Sequence, residues 1–326
     1  AKPVARSQVP IQVHDIAVVG GGPAGISASI YAARKGFDVV MIAEELGGQV
    51  AETVGIENLI SVKYTTGKNL TSALREHLND YKVTTKENLT VEKIESGKTN
   101  EIHLSNGELI KARAVIIATG AKWRELGVPG EKENKGSGVA YCPHCDGPFY
   151  KDKKVVVVGG GNSGIEAAID LSKIAREVRV LEFLKDLKAD QLLVERAQSA
   201  ENIQIVTNVA TDRIESKDGK VSAIVYKNRE TSEETSHKTD GIFVQIGLEP
   251  NSAFLGDEIS RNKHGEIIVD ANCKTSEPSI FACGDVTTVT YKQIIVAMGQ
   301  GATAALSASE HLMMIHDAIE IDQVAV

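Results

Sequence analysis

The chain has 326 residues, which is enough for two domains of ordinary size. Its 42% hydrophobic and 25% charged residues are typical of a soluble globular protein, and the net charge of −8 without a dense Lys/Arg block argues against nucleic-acid or anionic-membrane partners. No apolar stretch reaches the ~18 residues of a membrane span. No apolar segment follows Lys2 and Arg6, so we expect no signal peptide and a cytoplasmic location.

The chain opens with a βαβ pattern. Residues 1–13 contain two prolines and no periodicity, which predicts a linker or arm. A buried-strand pattern at 16–19 then runs into a glycine-rich turn, followed by a predicted helix at 24–35 and a predicted strand at 38–43.

The turn reads Gly20-x-Gly22-x-x-Gly25, the fingerprint of a dinucleotide-binding unit. Its three glycines allow the tight turn, the approach of a pyrophosphate and close helix–strand packing, and the phosphate binds at the helix N-terminus. Glu44 follows the second strand and is placed to hold a ribose hydroxyl, although Glu45 competes for this role.

The same unit recurs later in the chain. A strand at 155–158 precedes Gly159-x-Gly161-x-x-Gly164, a helix at 165–174 and a strand at 178–181 that ends before Glu182. The spacing from first glycine to acid is 24 residues in the first copy and 23 in the second, which indicates two dinucleotide-binding folds. A carboxylate at Glu182 favours NADH over NADPH; alternatively, Glu182 only caps a surface strand.

Cys142 and Cys145 form a C-x-x-C motif. Two cysteines at this spacing can close a small reducible disulfide. Asp146 follows directly and could donate or accept the proton when thiolate becomes thiol. His144 is another candidate for proton transfer, or it tunes the thiols or lies exposed.

A zinc ribbon is the other interpretation of this motif, but it would need a second Cys or His pair at similar spacing. Cys273 and Cys283 lie ten residues apart in strand-like contexts, so we expect buried, hydrophobic side chains there.

The remaining segments fit the same plan. Turn signals at 105–107 and 217–219 predict hairpins within two meanders of short strands. Towards the C-terminus, an aliphatic strand from residue 280 leads to Gly284-Asp285, and a helix is predicted at 292–314. Asp285 could accept hydrogen bonds from the ribityl chain of FAD, and the helix N-terminus could stabilise a reduced flavin.

The two fingerprints, the run CPHCDG at 142–147 and the run CGD at 283–285 resemble the low-molecular-weight thioredoxin reductase group over nearly the whole chain. In detail the sequence is similar to the flavoprotein components of alkyl hydroperoxide reductases, the NADH-dependent peroxiredoxin reductases. The runs that carry this likeness are GGQ at 47–49, ATGAKWR at 118–124, YCPHCDGP at 141–148, GGGNSG at 159–164, KADQ at 188–191 and YKQII at 291–295. Thioredoxin reductases proper usually have basic residues in place of the Glu182 segment.

The resemblance implies an α/β fold of two Rossmann-like three-layer domains, with an NADH domain inserted into an FAD domain. We expect the FAD domain at 14–123 and 255–326, and the NADH domain with the redox disulfide at 124–254. The FAD-binding residues expected are Gly20, Gly22, Pro23, Ala24, Gly25, Glu44, Gly48, Gln49, Asn58, Thr119, Gly120, Gly284, Asp285, Lys292, Gln293 and Ile294. Those expected for NADH are Gly159, Gly161, Asn162, Ser163, Gly164 and Glu182. We expect no metal site.

In the resembling proteins Cys145 faces the flavin, Cys142 attacks the incoming disulfide and Asp146 handles protons. The implied route runs from NADH to FAD and then to the disulfide, with a domain rotation about hinges near 123–127 and 247–252. Full-length members carry N-terminal thioredoxin-like domains, which this sequence lacks. We therefore expect a truncated form or a relative with a separate carrier, a peroxiredoxin as end acceptor, and a homodimer.

Three other functions remain open. An NADH oxidase would reduce O₂ to hydrogen peroxide at the flavin and needs no cysteine pair. A ferredoxin- or flavodoxin-type reductase shares the fold, but the cysteine pair and Glu182 argue against it. A flavin-binding redox sensor would signal through a partner without turnover.

Overall fold

The computed structural model describes residues 12–53 and 55–324. Residues 1–11 of the predicted arm lie outside this part, and Val13 already belongs to the first strand. The first elements in chain order are β1 (Val13–Val19), α1 (Pro23–Arg34), β2 (Val39–Ala43), α2 (Gly67–Asn79), β3 (Val83–Glu87), β4 (Val91–Glu95), β5 (Asn100–Leu104), β6 (Leu109–Ile117) and β7 (Ala121–Trp123).

The middle of the chain repeats this alternation. Its elements are β8 (Val139–Ala140), α3 (Pro143–Asp146), β9 (Lys154–Val158), α4 (Asn162–Ser172), β10 (Glu177–Leu181), α5 (Gln191–Ser199), β11 (Ile203–Val206), β12 (Val209–Lys217), β13 (Lys220–Asn228), β14 (Glu234–Lys238), β15 (Gly241–Val244) and β16 (Leu248–Pro250). The chain returns through β17 (Ile280–Ala282) to α6 (Ile294–Val324). Among the described residues, no helix combines the length and apolar character needed to cross a membrane.

These elements fall into two compact units. The first comprises the chain up to Thr53, Leu59–Lys122 and the chain from Pro250 onward. The second comprises Trp123–Glu249 and the short segment ending at Asn58, so it is inserted in sequence between segments of the first. The predicted fold class is confirmed. Which nucleotide each unit binds stays a prediction.

A seven-stranded sheet is the centre of the first unit. The strands β3-β2-β1-β6 run parallel, and β17 joins β6 in parallel, while β5 and β4 continue the sheet in antiparallel fashion. One face packs against α1 and α6 through aliphatic residues such as Ile16, Met41 and Ile116. On the opposite face, side chains of β1, β2 and β6 form one cluster with apolar side chains of β4, β5 and the segment around Leu255–Ile267. β2 and the C-terminal halves of β1 and β6 are aliphatic on both faces, as expected for parallel strands buried on two sides.

A five-stranded parallel sheet, ordered β11-β10-β9-β15-β8, is the centre of the second unit. One face packs on α4 and α5, and the other packs on the antiparallel sheet β12-β13-β14. The predicted hairpin turns join β5 to β6 and β12 to β13.

Element boundaries differ from the expected ones where a motif straddles two elements. α4 begins at Asn162 rather than 165, because the glycine turn itself forms the first helical turn. α6 continues ten residues beyond 314, since the sequence after Gly301 contains no glycine or proline to end it.

Candidate active site

The first glycine turn joins β1 to α1. A Cβ on Gly20 would lie 2.2 Å from the Ala118 carbonyl oxygen, and one on Gly25 would lie 1.9 Å from that of Gly20. A Cβ on Gly22 would meet no atom of the described residues within 4 Å. Gly22 is the N-cap of α1, and without a side chain it cannot cap the first amide groups. The outer glycines are therefore required by packing, whereas the middle one borders open space at a helix N-terminus suited to an anion.

The second glycine turn has the same construction. A Cβ on Gly159 would lie 2.3 Å from the Gln245 carbonyl oxygen, and one on Gly164 would lie 1.9 Å from that of Gly159. Gly161, the N-cap of α4, again borders space that the described residues leave open to 4 Å. The two units thus form the same cradle, an open space at the N-terminus of a helix.

A backbone hydrogen bond closes each cradle on one side. The amide of Gly47 donates to the Gly21 carbonyl at 2.8 Å, and the amide of Lys188 donates to that of Gly160 at 3.0 Å. In the second unit Asn162 and Asp190 also exchange two hydrogen bonds, of 2.8 and 3.0 Å. Ser163 is exposed beside them.

The acids predicted at the strand ends differ in their surroundings. Glu182 is only 8% exposed, and its carboxylate accepts hydrogen bonds from the amides of Gly160 at 2.5 Å and Leu184 at 2.7 Å. Glu44 and Glu45 are both exposed, so burial does not choose between them. The Glu182 carboxylate is therefore fixed against the second glycine turn.

The other predicted FAD residues of the first unit follow the parallel strands. Thr119 and Asn251 exchange hydrogen bonds of 2.7 and 2.8 Å, and the Asn251 amide donates to the Gly120 carbonyl at 2.9 Å. Gly284 and Asp285 follow β17. Because β1, β2, β6 and β17 are parallel, the residues after them share the carboxyl edge of one sheet, where α/β folds bind ligands.

Asp285 and Lys292 form the charged part of this edge. Burial raises the pKa of the Asp285 carboxyl, and the positive charge of Lys292 partly opposes this. The Lys292 ammonium donates to the Thr287 carbonyl at 2.5 Å and lies 2.9 Å from the Glu266 carboxylate.

The remaining predicted FAD residues are less closely defined. Pro23, Ala24 and Ile294 lie in the first turns of α1 and α6, and Gln293 directly precedes α6. Gly48 and Gln49 are exposed at the start of a 3₁₀ turn. Asn58 belongs to the second unit, so the fold of the first unit does not bring it to the others.

The cysteine pair lies at the carboxyl edge of the second sheet. Cys142 comes two residues after β8, which pairs in parallel with β15. The two sulfur atoms are bonded at 2.26 Å across a Cα–Cα distance of 5.3 Å. The Cys145 amide donates to the Cys142 sulfur at 3.2 Å. Three parallel strands of one sheet, β8, β9 and β10, are therefore followed by the cysteine pair, the second glycine turn and Glu182, respectively.

Asp146 completes this turn. Burial raises the pKa of its carboxyl to about 6, although a hydrogen bond with the Cys142 backbone lowers it somewhat. Burial and the negative charges of Asp146 and Asp240 raise the pKa of Tyr150 to about 12. His144 is exposed. Asp146 is thus a carboxyl group beside the disulfide that can change protonation near neutral pH.

Two neighbours of the predicted site could not be inferred from the sequence. Gln245 donates from Nε2 to the Tyr141 carbonyl at 2.7 Å, and the Tyr141 hydroxyl donates to the buried Glu131 carboxylate at 2.9 Å. These bonds fix the residue before Cys142. Arg229 stacks on Phe183, next to Glu182. Both sets join residues far apart in sequence, and no local signal marks them.

The two cysteines outside the motif are buried, as predicted. Burial raises the pKa of the Cys273 thiol to about 11 and raises that of Cys283 as well. Elsewhere, Glu95, Glu101 and His103 have ligand atoms within 4.8 Å of one another, but Lys93 and Lys111 already form ion pairs with the two carboxylates.

Residues 14–301 match the pyridine nucleotide-disulphide oxidoreductase family, which is most of the chain. The chain belongs to this family. Flavin and nicotinamide nucleotide use are characteristic of pyridine nucleotide-disulphide oxidoreductases, and the paired glycine turns and the cysteine pair agree with that chemistry.

Individual relatives fall within the same family. The fold resembles that of thioredoxin reductase from Streptococcus pyogenes, with a TM-score of 0.88, 36% identity, and coverage of 93% of this chain and 99% of that one. The sequence is 50% identical over 303 residues to the F component of alkyl hydroperoxide reductase of Pseudomonas aeruginosa, covering 92% of this chain and 58% of the relative. It is also 50% identical over 299 residues to an NADH dehydrogenase of Bacillus subtilis, with 92% and 58% covered. The chain therefore spans a little over half the length of these two relatives.

Proposed function

We propose that the chain passes electrons from NADH through FAD to the Cys142–Cys145 disulfide, and from there to a thioredoxin-like domain or carrier that reduces a peroxiredoxin. The observation that carries this proposal is the position of the cysteine pair and a nucleotide-type glycine turn at the carboxyl edge of one parallel sheet. Similarity to the F component of alkyl hydroperoxide reductase supports the peroxide-related end of the route. The same resemblance supports a cytoplasmic homodimer.

The first unit contains most of the FAD domain proposed at 14–123 and 255–326. The open space at Gly22, the uncapped start of α1 and the partly buried Asp285 fit a pyrophosphate and a polyol chain. Glu44 would hold the adenosine ribose, and Thr119, Gly120 and Lys292 would border the cofactor. When bound, FAD would supply a hydride acceptor, which no side chain supplies.

The second unit contains most of the NADH domain proposed at 124–254. Gly161, Asn162 and Ser163 would hold the pyrophosphate at the start of α4. Glu182 would accept a hydrogen bond from the adenosine 2′-hydroxyl. Because two amides hold its carboxylate in place, it cannot turn away from a 2′-phosphate, and the like charges repel. This supports NADH as the donor.

Opening the disulfide takes up two electrons and, at completion, two protons. The hydrogen bond from the Cys145 amide to the Cys142 sulfur stabilises negative charge on Cys142. This supports Cys142 as the thiolate released when the S–S bond breaks, and then as the sulfur that attacks the incoming disulfide. The Asp146 carboxyl, with a pKa of about 6, can supply a proton as the S–S bond breaks and take one back when the thiols are oxidised.

The test is an anaerobic NADH titration of the flavin-loaded protein, with thiols counted before and after. We expect two equivalents consumed and two new thiols at Cys142 and Cys145. Cys145→Ser should abolish the new thiols while NADH still reduces a dye. One equivalent consumed without new thiols would contradict the proposal and favour an NADH oxidase.

A further inference from the structure

Phe183 and Arg229 form an exposed stacked pair in the second unit. The guanidinium carbon of Arg229 lies 3.7 Å from the centroid of the Phe183 ring, and Phe183 as a residue remains 53% exposed. A guanidinium stacked on an aromatic face gives a flat, cationic surface. A large apolar ring held at the surface in this way is suited to binding a second flat group.

Hydrogen bonds hold the pair in one arrangement. Arg229 donates from its side chain to the Phe183 carbonyl at 2.9 Å and from its amide to the Asn208 carbonyl at 2.9 Å. The Asn208 amide in turn donates to the Leu184 carbonyl at 2.8 Å. The loop after β10, the turn after β11 and the turn after β13 are thereby tied together, so the stacked surface is formed before any ligand binds.

The cationic groups at the pair already have partners within the second unit. Lys185 forms an ion pair with Glu230, and the Arg229 guanidinium is engaged with the Phe183 carbonyl. A phosphate would have to displace these partners. An uncharged aromatic ring would not, and stacking on a guanidinium or a phenyl ring needs only a flat π-face.

The position of the pair along the chain identifies the ring. Phe183 directly follows Glu182, whose carboxylate is fixed against the glycine turn. In the proposed function, on which this inference rests, Glu182 holds the adenosine ribose of NADH. The adenine base is bonded to that ribose, so it would lie close to Phe183, the next residue in the chain. We propose that the Phe183–Arg229 pair is the platform on which the adenine ring of NADH stacks.

The test compares ligands with and without adenine in the flavin-loaded protein. Binding of ADP-ribose is measured by calorimetry, and flavin reduction is followed with NADH and with reduced nicotinamide mononucleotide, which has no adenosine. Phe183→Ala should weaken ADP-ribose binding by roughly 5-fold to 150-fold, the range for losing one base–aromatic stack. It should raise the NADH concentration needed for half-maximal reduction by the same factor.

Three comparisons separate stacking from general disruption. Phe183→Tyr keeps the ring and should bind ADP-ribose within about twofold of the parent. Arg229→Lys keeps the charge but not the plane and should weaken binding, whereas Arg213→Ala removes a guanidinium whose partners in the second unit are carboxylates and should not. Reduction by the mononucleotide should be unchanged in every variant.

Unaltered ADP-ribose binding in Phe183→Ala would overturn the platform, and so would an equal loss with the mononucleotide. A selective loss of NADPH binding in Arg229→Lys would overturn it in favour of a phosphate site. Failure of the parent protein to oxidise NADH, with ADP-ribose binding still dependent on Phe183, would overturn the proposed electron donor but not the platform.

Discussion

Asp146 should make the second unit less stable at neutral pH than it would be without this charge. Its carboxyl is partly buried beside the disulfide, and burial disfavours the ionised form. Asp146→Asn replaces the carboxylate with a neutral group of the same shape that can still accept the hydrogen bond from the Cys142 backbone.

The magnitude follows from the pKa values. The folded value is about 6 against 3.8 for the free side chain, and a shift of about 2 units corresponds to about 3 kcal/mol. Because the folded pKa is the higher one, the native state binds more protons between these values. The contribution of Asp146 to stability is thus fully present below pH 3.8 and is lost as pH rises through about 6. Asp146→Asn should therefore raise the free energy of unfolding by about 3 kcal/mol at pH 8 and by almost nothing near pH 3.5.

Urea unfolding of the oxidised protein between pH 3.5 and 8, followed by fluorescence, measures this difference. Trp123 is the only tryptophan and belongs to the second unit, so its signal reports on that unit. Asp186→Asn makes the same change at an exposed carboxyl of the same unit and is the matched control. If Asp146→Asn raised the free energy of unfolding equally at pH 4 and pH 8, the reasoning would be refuted. A buried charge lowers stability only at pH values where the group is ionised.

Four further outcomes are expected. Reduction of the disulfide by NADH should speed up as pH falls through about 6, where Asp146 becomes a proton donor, and stopped-flow rates should lose this dependence in Asp146→Asn. Gly161→Ala should fold normally but lose NADH binding, whereas Gly164→Ala should lower the free energy of unfolding by about 1–3 kcal/mol because its Cβ would overlap the Gly159 carbonyl. Identical melting curves for the two variants would contradict this. Glu182→Ala leaves the amides of Gly160 and Leu184 unpartnered, at a cost of about 1–3 kcal/mol, and should lower the NADH-over-NADPH preference at least tenfold in steady-state kinetics. In the native NADH-reduced protein, alkylation should modify Cys142 and Cys145 but not the buried Cys273 and Cys283. More than two labels per chain in mass spectrometry would contradict this prediction.

Features that lie within one short stretch of sequence could be predicted. Each glycine turn combines a strand, a turn and a helix start within ten residues, so the pattern itself specifies the packing seen at Gly25 and Gly164. Burial of Cys283 followed from the aliphatic strand Ile280–Ala282 that precedes it. Cys273 is also buried, but it lies after a turn, with a φ of 62°, and not in the strand-like context expected. The ends of elements were less accurate, as at Asn162, because one residue there serves both turn and helix.

Contacts between distant segments could not be predicted. Arg229 lies 46 residues from Phe183, and Gln245 lies 104 residues from Tyr141. Each contact depends on which strands become neighbours in the sheet, and several arrangements of the same strands satisfy the same hydrophobic pattern. The pKa of Asp146 depends likewise on burial by side chains that only the folded unit assembles.

The strand that leads to the cysteine turn is only two residues long and lies at the edge of its sheet, pairing through Val139 and Ala140 alone. The other four strands, with the glycine turn and Glu182, form a continuous sheet without it. A nucleotide-binding unit could therefore gain or lose a dithiol through a change at one margin, with its phosphate cradle intact. The cysteine turn therefore follows the strand with the fewest paired residues in this sheet, where local opening leaves the other four strands paired.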